Sequence, residues 1–291
     1  MSLRESPLLE PSLLARLERL QLATRRRLAG HLSAEHRSPH HGATLDFAEY
    51  REYHPGDDFR RIDYAALARL DQLLVRLYEA EDDLTVRLLV DTSGSMATGD
   101  KMAQARRIAA ALGFVALVRR DVVTVHGVPA AGHAPRFTGR HAAVGLFAHL
   151  EGLAPGGDTR FVAAARDLLA RPGPPGLTVL ISDLLGSDWD DGVTRLPGRG
   201  GDLTVIHLLA AEEVRPDLVG DLDLVDRETG DRVAVSLSPD ALRRYERLAL
   251  DWADRVALRC RQVGAAYVRV LDDDDIEPLL LGGWRAAGVL R

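Results

Sequence analysis

The chain has 291 residues, 46% of them hydrophobic, enough to bury a core in one large domain or one domain with an appended piece. A formal net charge of -6 and a pI of about 5.9 argue against nucleic-acid binding, which calls for a basic surface. The single cysteine, Cys260, permits no internal disulfide or thiolate zinc cluster, and no apolar run reaches the roughly 20 residues that span a bilayer, so a cytoplasmic protein is expected.

In chain order, the first expected element is a helix over 11–29 lying on the body of the protein. Leucines at 13, 14, 17, 20 and 28 recur there near helical spacing. Residues 30–46 read as a loop, and His31, His36, His40 and His41 follow no metal-ligand spacing. The segment "DFAEYREYHPGDDFRRIDYAALARL" is dense in charge and aromatics. Pro55 and Gly56 mark a turn, and Asp57 and Asp58 are cap candidates for the element after it. Glu49, Glu52, Asp57, Asp58 and Asp63 match Arg51, Arg60, Arg61 and Arg69 as local ion pairs. Their expected role is to fix residues 1–83 against the core, since no nucleophile or histidine motif accompanies them.

From Leu84 onward, strands and helices alternate. "LTVRLLVD", "DVVTVHGV", "LTVLISDLL", "DLTVIHLLA" and "AAYVRVLD" read as strands. The helices between them include "KMAQARRIAAALGFVALVRR", "GRHAAVGLFAHLEGL", "TRFVAAARDLLARPG" and a long one from Ser238 to Gly264. Continuous Val, Ile and Leu strands separated by helices predict a mostly parallel sheet covered on both faces, in a doubly wound, Rossmann-like α/β domain over 84–291. Two regions stand outside this alternation: a strand and turn over 73–83, and a β-hairpin over 221–238 with Glu228, Thr229, Gly230 and Asp231 at its turn. Both are candidates for a small accessory sheet, and the sequence leaves open whether they pair with each other.

In an open α/β sheet, ligands sit beyond the carboxyl ends of the strands. Asp91 ends the first core strand, and Ser93 and Ser95 follow at alternate positions across Gly94. Thr159 opens a helix after "GGD", and Asp183 ends "LTVLISD" as Asp91 ends its own strand. If those two strands are neighbours, Asp91, Ser93, Ser95, Thr159 and Asp183 form one all-oxygen set suited to Mg²⁺ or Mn²⁺. Two carboxylates balance a divalent ion without over-neutralising it, leaving it electrophilic toward a carboxylate from outside. Plain helix capping is the competing reading, with Asp100 the better N-cap for the helix from Lys101. Asp158 could compete for the metal. The acidic run Asp272 to Asp275 reads as capping at a helix start. Cys260 reads as packed and inert, and the lone lysine, Lys101, as codon usage rather than function.

The "DTSGS", "GGDT" and "SD" segments together resemble the metal-ion-dependent adhesion site of von Willebrand factor A-type domains. That resemblance implies direct ligation by Ser93, Ser95 and Thr159, with Asp91 and Asp183 acting partly through water. A wider resemblance is to the bacterial family called domain of unknown function 58. It is carried by Phe47, Arg51, Tyr53, Pro55 to Asp58, Arg61 to Tyr64, Ala68 and Arg69, and also by "LVDTSGSM" and the "DRETG" hairpin, with Tyr64 where the family usually has tryptophan. This resemblance implies a von Willebrand A-like fold and frequent pairing with a MoxR-type AAA+ ATPase, in a family with no established enzyme activity. The leading expectation is a non-enzymatic binding module whose metal site accepts an acidic residue from that ATPase or its client. The alternatives are a metal-assisted phosphohydrolase built on Asp91 and Asp183, and a structural scaffold with an unoccupied site. The first lacks an Asp-x-Asp pair, a Gly-x-Ser-x-Gly elbow and a Walker A loop.

Overall fold

A computed structural model describes residues 8–24, 46–54, 57, 62–79, 84–128, 134–158, 160–171, 173–198, 201–218, 220–225 and 230–291. The chain divides into two compact units, Ser33–Asp83 and the remainder, Met1–Leu32 with Leu84–Arg291.

The larger unit opens with α1 (Pro11–Leu17), started by a proline at its first position, where the missing N–H costs nothing. The helix is shorter than its leucine spacing predicts. After Leu17 the chain turns and runs extended. Gln21 and Ala23 donate backbone N–H groups to Arg291 and Val289, and Leu22 bridges Leu290. Pairing with the C-terminus replaces the expected helical turns, while Leu20 and Leu22 stay buried. Residues 25–29, with their arginines, and the four histidines at 31–41 lie outside the described residues.

In the smaller unit, β1 (Asp46–Glu52) is followed by α2 (Tyr64–Leu70) and β2 (Leu74–Glu79). The two strands pair antiparallel, from Asp46 opposite Glu79 to Glu52 opposite Leu74, with a register shift between Phe47 and Glu49. The strand expected near 73–83 therefore pairs with a stretch read only as a charged segment. The capping role expected of Asp57 falls to buried Asp63, whose Oδ1 accepts Ala66 N–H at 3.1 Å. Asp57 instead bonds back to residues at the end of β1 and just beyond it. It accepts from His54 N and Arg51 Nη2, both at 2.8 Å, and these bonds hold its carboxyl below its ordinary range. Asp58, Arg60 and Arg61 lie outside the described residues.

The rest of the larger unit runs β3 (Thr85–Asp91), α3 (Lys101–Val118), β4 (Val122–Val128), β5 (Arg136–Thr138), α4 (Ala143–Glu151), α5 (Phe161–Ala170), β6 (Gly176–Ser182), α6 (Trp189–Arg195), β7 (Asp202–Leu209), α7 (Ala211–Val214), β8 (Gly220–Val225), β9 (Arg232–Leu237), α8 (Pro239–Gln262) and β10 (Ala266–Leu271). A short helical stretch from Ile276 comes last. Six strands form one sheet in the order β10-β7-β6-β3-β4-β5, parallel except for β5. The three-residue β5 and four-residue α7 carry too little periodicity to be seen in sequence.

Alternate residues of the central strands feed two cores, as the pleat requires. Val86, Leu88, Val90, Val179 and Ile181 pack with α1, α3 and α4, whereas Leu89, Leu180 and Val205 pack with α5, α6 and the second half of α8. Small residues bring α3 and α4 together: a Cβ on Gly113 would meet Leu146 at 2.6 Å. Among the described residues the hairpin β8–β9 forms its own two-stranded sheet. Its Glu228 and Thr229 lie outside the described residues.

Candidate metal centre

Strand order fixes where a site can form. β3 is followed by β4 on one side, but β6 adds on the other side of β3, so the order reverses between β3 and β6. A crevice opens at such a reversal, beyond the carboxyl ends of the strands. The pairing of β3 with β6 ends at Val90 opposite Ile181, which puts Asp91 and the Ser182–Asp183 pair at the rim of that crevice. The neighbourhood anticipated for Asp91 and Asp183 is present, and both carboxylates are fully buried.

The first loop folds around Asp91. Its Oδ1 accepts Ser93 N–H at 2.8 Å, and its Oδ2 accepts Ser182 Oγ–H at 2.5 Å. Ser93 Oγ and Ser95 Oγ stand 2.9 Å apart. Burial first, then the charge of Asp183, pushes the Asp91 carboxyl up to about 6, against hydrogen bonds from Ser182 and Ser93.

The second loop turns sharply after Asp183. Leu184 has φ 56°, a left-handed conformation that costs a non-glycine residue on the order of 1 kcal/mol or more. Its fully buried side chain and an N–H bond to Ser182 Oγ at 2.8 Å hold it there. Asp183 Oδ1 accepts Leu185 N–H, and its backbone carbonyl faces His207 Nε2 at 3.1 Å. His207, buried against Trp252 and within 2.9 Å of the Tyr267 hydroxyl, is pushed down to about 4 by burial and is neutral at pH 7. A neutral ring that donates from Nε2 to Asp183 accepts from Tyr267 at Nδ1.

Thr159 itself lies outside the described residues, but both flanks of its loop are tied to the other two loops. Gly156 N–H reaches Thr92 O at 2.7 Å, and Gly94 N–H reaches Gly157 O at 2.9 Å. On the far side, Asp188 accepts the N–H groups of Phe161 and Val162. Asp158 is exposed and pairs with Arg160 at 3.5 Å.

Four residues of the site are missing from the set that the sequence pattern picks out. Ser182 is masked by the aspartate beside it, and His207 lies inside a mostly apolar strand. Lys101 and Glu213 are the other two: Lys101 Nζ, fully buried, donates to Asp183 Oδ2 at 2.7 Å and to Glu213 Oε1 at 2.6 Å. The usable signal is that this is the chain's one lysine, which has a structural place rather than a codon-usage origin alone. Asp100 does occupy the N-cap position of α3, but its side chain makes no cap bond; its backbone N–H goes to Asp272.

The donor chemistry is of the kind a hard cation takes: all the described candidate donors are oxygens, and two of the hydroxyls are hydrogen-bonded neighbours, although Asp183 Oδ2 is held by the Lys101 ammonium. Among the described residues no three His, Cys, Asp or Glu side chains group as metal ligands, so such a site depends on its hydroxyls.

Fold and site together define an open-sheet α/β protein with an oxygen-rich loop cluster at its switch point. The chain belongs to the family described as protein of unknown function DUF58, which matches residues 49–254. Uncharacterized proteins of Mycobacterium bovis and Mycobacterium tuberculosis are 31% identical to it over 278 residues, covering 91% of this chain and 87% of each relative. Among solved structures, a conserved hypothetical protein BatB from Bacteroides thetaiotaomicron aligns with TM-score 0.41 and 14% identity, over 70% of this chain and 98% of that one. An aerotolerance-related membrane protein from Bacteroides fragilis, solved with multiple mutations to serines, aligns over the same shares with TM-score 0.42 and 16% identity. Among the described residues no helix is long and apolar enough to cross a membrane.

Proposed function

We propose that the loops after β3, before α5 and after β6 hold Mg²⁺ or Mn²⁺ in a von Willebrand A-like adhesion site, and that the bound ion captures an Asp or Glu of a protein partner. The observation that supports this reading is the placement of buried Asp91 and Asp183 where the paired strands β3 and β6 end, with the Ser93 and Ser95 hydroxyls hydrogen-bonded 2.9 Å apart in the loop that follows Asp91. Ser93, Ser95 and Thr159 would ligate directly, with Asp91 and Asp183 supplying the charge. Two carboxylates leave a divalent ion electrophilic, which favours capture of a further carboxylate over chemistry within the site. A MoxR-type AAA+ ATPase, or the client it remodels, is the partner class we propose, and the protein acts there as a binding module rather than an enzyme.

Calorimetric titration with Mg²⁺ and Mn²⁺, on wild type and on Asp91→Ala, tests the ion. Binding by wild type that is lost in a folded Asp91→Ala protein is the expected result. Affinity purification with and without chelator tests capture: a partner retained equally in both conditions would rule out metal-dependent docking.

A further inference from the structure

Lysine and arginine together number 37, and Lys101 is the only lysine among them. It opens α3 with no exposed surface, and its ammonium is shared between Asp183 and Glu213. Both carboxylates are fixed from behind: Leu185 N–H binds Asp183 Oδ1, and Ala210 N–H binds Glu213 Oε2 at 2.9 Å. The backbone that delivers the ammonium is equally constrained. Asp272 takes Asp100 N–H on Oδ2 at 2.8 Å and Ala211 N–H on Oδ1 at 2.9 Å, so one side chain clamps the stretches leading to Lys101 and to Glu213. Gly99, at φ 54°, passes so close to Asp272 that a Cβ would meet Oδ2 at 2.1 Å. A planar guanidinium is a poor substitute here, because a compact point charge is what reaches two carboxylates of different orientation. That accounts for a lysine in a chain that otherwise uses arginine.

A cation held on Asp183 competes with any ion that needs the same carboxylate. We infer that Lys101 is a built-in counter-cation: it neutralises Asp183 in the metal-free protein and yields that carboxylate, keeping Glu213, when a divalent ion enters. The inference rests on the cation site proposed for these loops. It makes Lys101 the residue that sets the affinity of the site, by exchange of one charge for another rather than by ligation.

The lone lysine makes this directly observable. Growth with ¹³Cε-labelled lysine places one label in the whole protein. Titration with diamagnetic Mg²⁺ is expected to shift the Lys101 Cε resonance in step with the binding isotherm from calorimetry. Lys101→Met is expected to bind Mn²⁺ more tightly, by about tenfold or more, because one unit charge beside a divalent ion has been removed. Glu213→Gln leaves the ammonium to Asp183 alone and is expected to bind more weakly; Glu213 is partly exposed and the change nearly isosteric, so this variant is expected to fold even where Lys101→Met does not. If wild type binds Mg²⁺ while the lysine resonance stays still and the folded variants keep wild-type affinity, the counter-cation role falls and the cation site stands. If no form of the protein binds either ion, the cation site falls and the inference with it.

Discussion

Asp91 carries a pH signature that arises from its burial. Its carboxyl is raised from 3.8 to about 6 in the metal-free fold, so between those values the folded state holds a proton that the unfolded chain has lost. The stabilisation from neutral Asp91 is therefore complete below about pH 4 and is lost as pH rises through about 6, a swing of up to ~3 kcal/mol. His207 acts in the opposite sense. Its depressed value means the fold resists protonation, so its contribution is lost as pH falls from 6.5 toward 4. The two oppose each other in a wild-type stability profile, but Asp91→Asn isolates the first. In chelator, Asp91→Asn should gain on the order of 1–3 kcal/mol relative to wild type at pH 7.5, and little at pH 4. Urea midpoints at the two pH values measure it, and an equal shift at both would remove the assigned burial effect. A proton on Asp91 also competes with an entering ion, so Mn²⁺ affinity should fall as pH drops through about 6.

At the scale of elements, the acidic run after β10 acts through backbone contacts. Asp272 joins the start of α3 to the start of α7, Asp274 caps its own turn by accepting Leu271 N–H at 2.7 Å, and Asp275 accepts Glu277 N–H at 3.0 Å. The capping expected of this run is thus partly realised, while Asp272 reaches across the sheet edge. Asp272→Ala leaves two N–H groups without their acceptor and should cost roughly 1–3 kcal/mol. Gly99→Ala should be destabilising for two reasons, its left-handed φ and the collision with Asp272. Thermal melts of both variants check this, and an unchanged Asp272→Ala would mean that the clamp carries no energy. The same elements show what sequence could and could not disclose. Strands such as β6, buried at every residue, announce themselves as runs rich in Val, Ile and Leu, and an aspartate at the end of two such strands points to their shared edge. Contacts that join Lys101 to residues 82 and 112 positions away leave no local pattern. Nor does a strand like β1, whose partner is set by an antiparallel return from residue 74 rather than by its own charged sequence.

At the scale of the whole molecule, the N-terminus belongs to the larger unit even though the chain leaves that unit between residues 33 and 83. Leu9, Leu13, Leu17, Leu20 and Leu22 are all buried in the same core as α3 and the central strands. Burying a leucine side chain contributes about 1.5–3 kcal/mol before the entropy of ordering the segment is subtracted, a large term beside the ~5–15 kcal/mol by which a whole domain is stable. Residues 21–23 also supply the hydrogen-bonding partner of the last three residues of the chain. A fragment beginning at Leu84 should therefore expose an apolar strip on α3 and leave the C-terminal strand end unpaired, and we expect it to be aggregation-prone or only partly folded. Leu17→Ala in the full chain tests the same contact without truncation. Leu17 has no exposed surface, so the substitution opens a cavity and should cost about 2–5 kcal/mol, read as a lowered denaturation midpoint. A Leu84–Arg291 fragment that is monomeric and melts at the full-length temperature would show that the larger unit holds without its N-terminal helix. A fragment that recovers on adding a peptide of residues 8–24 would show that the lost stability lies in those leucines and that backbone pairing.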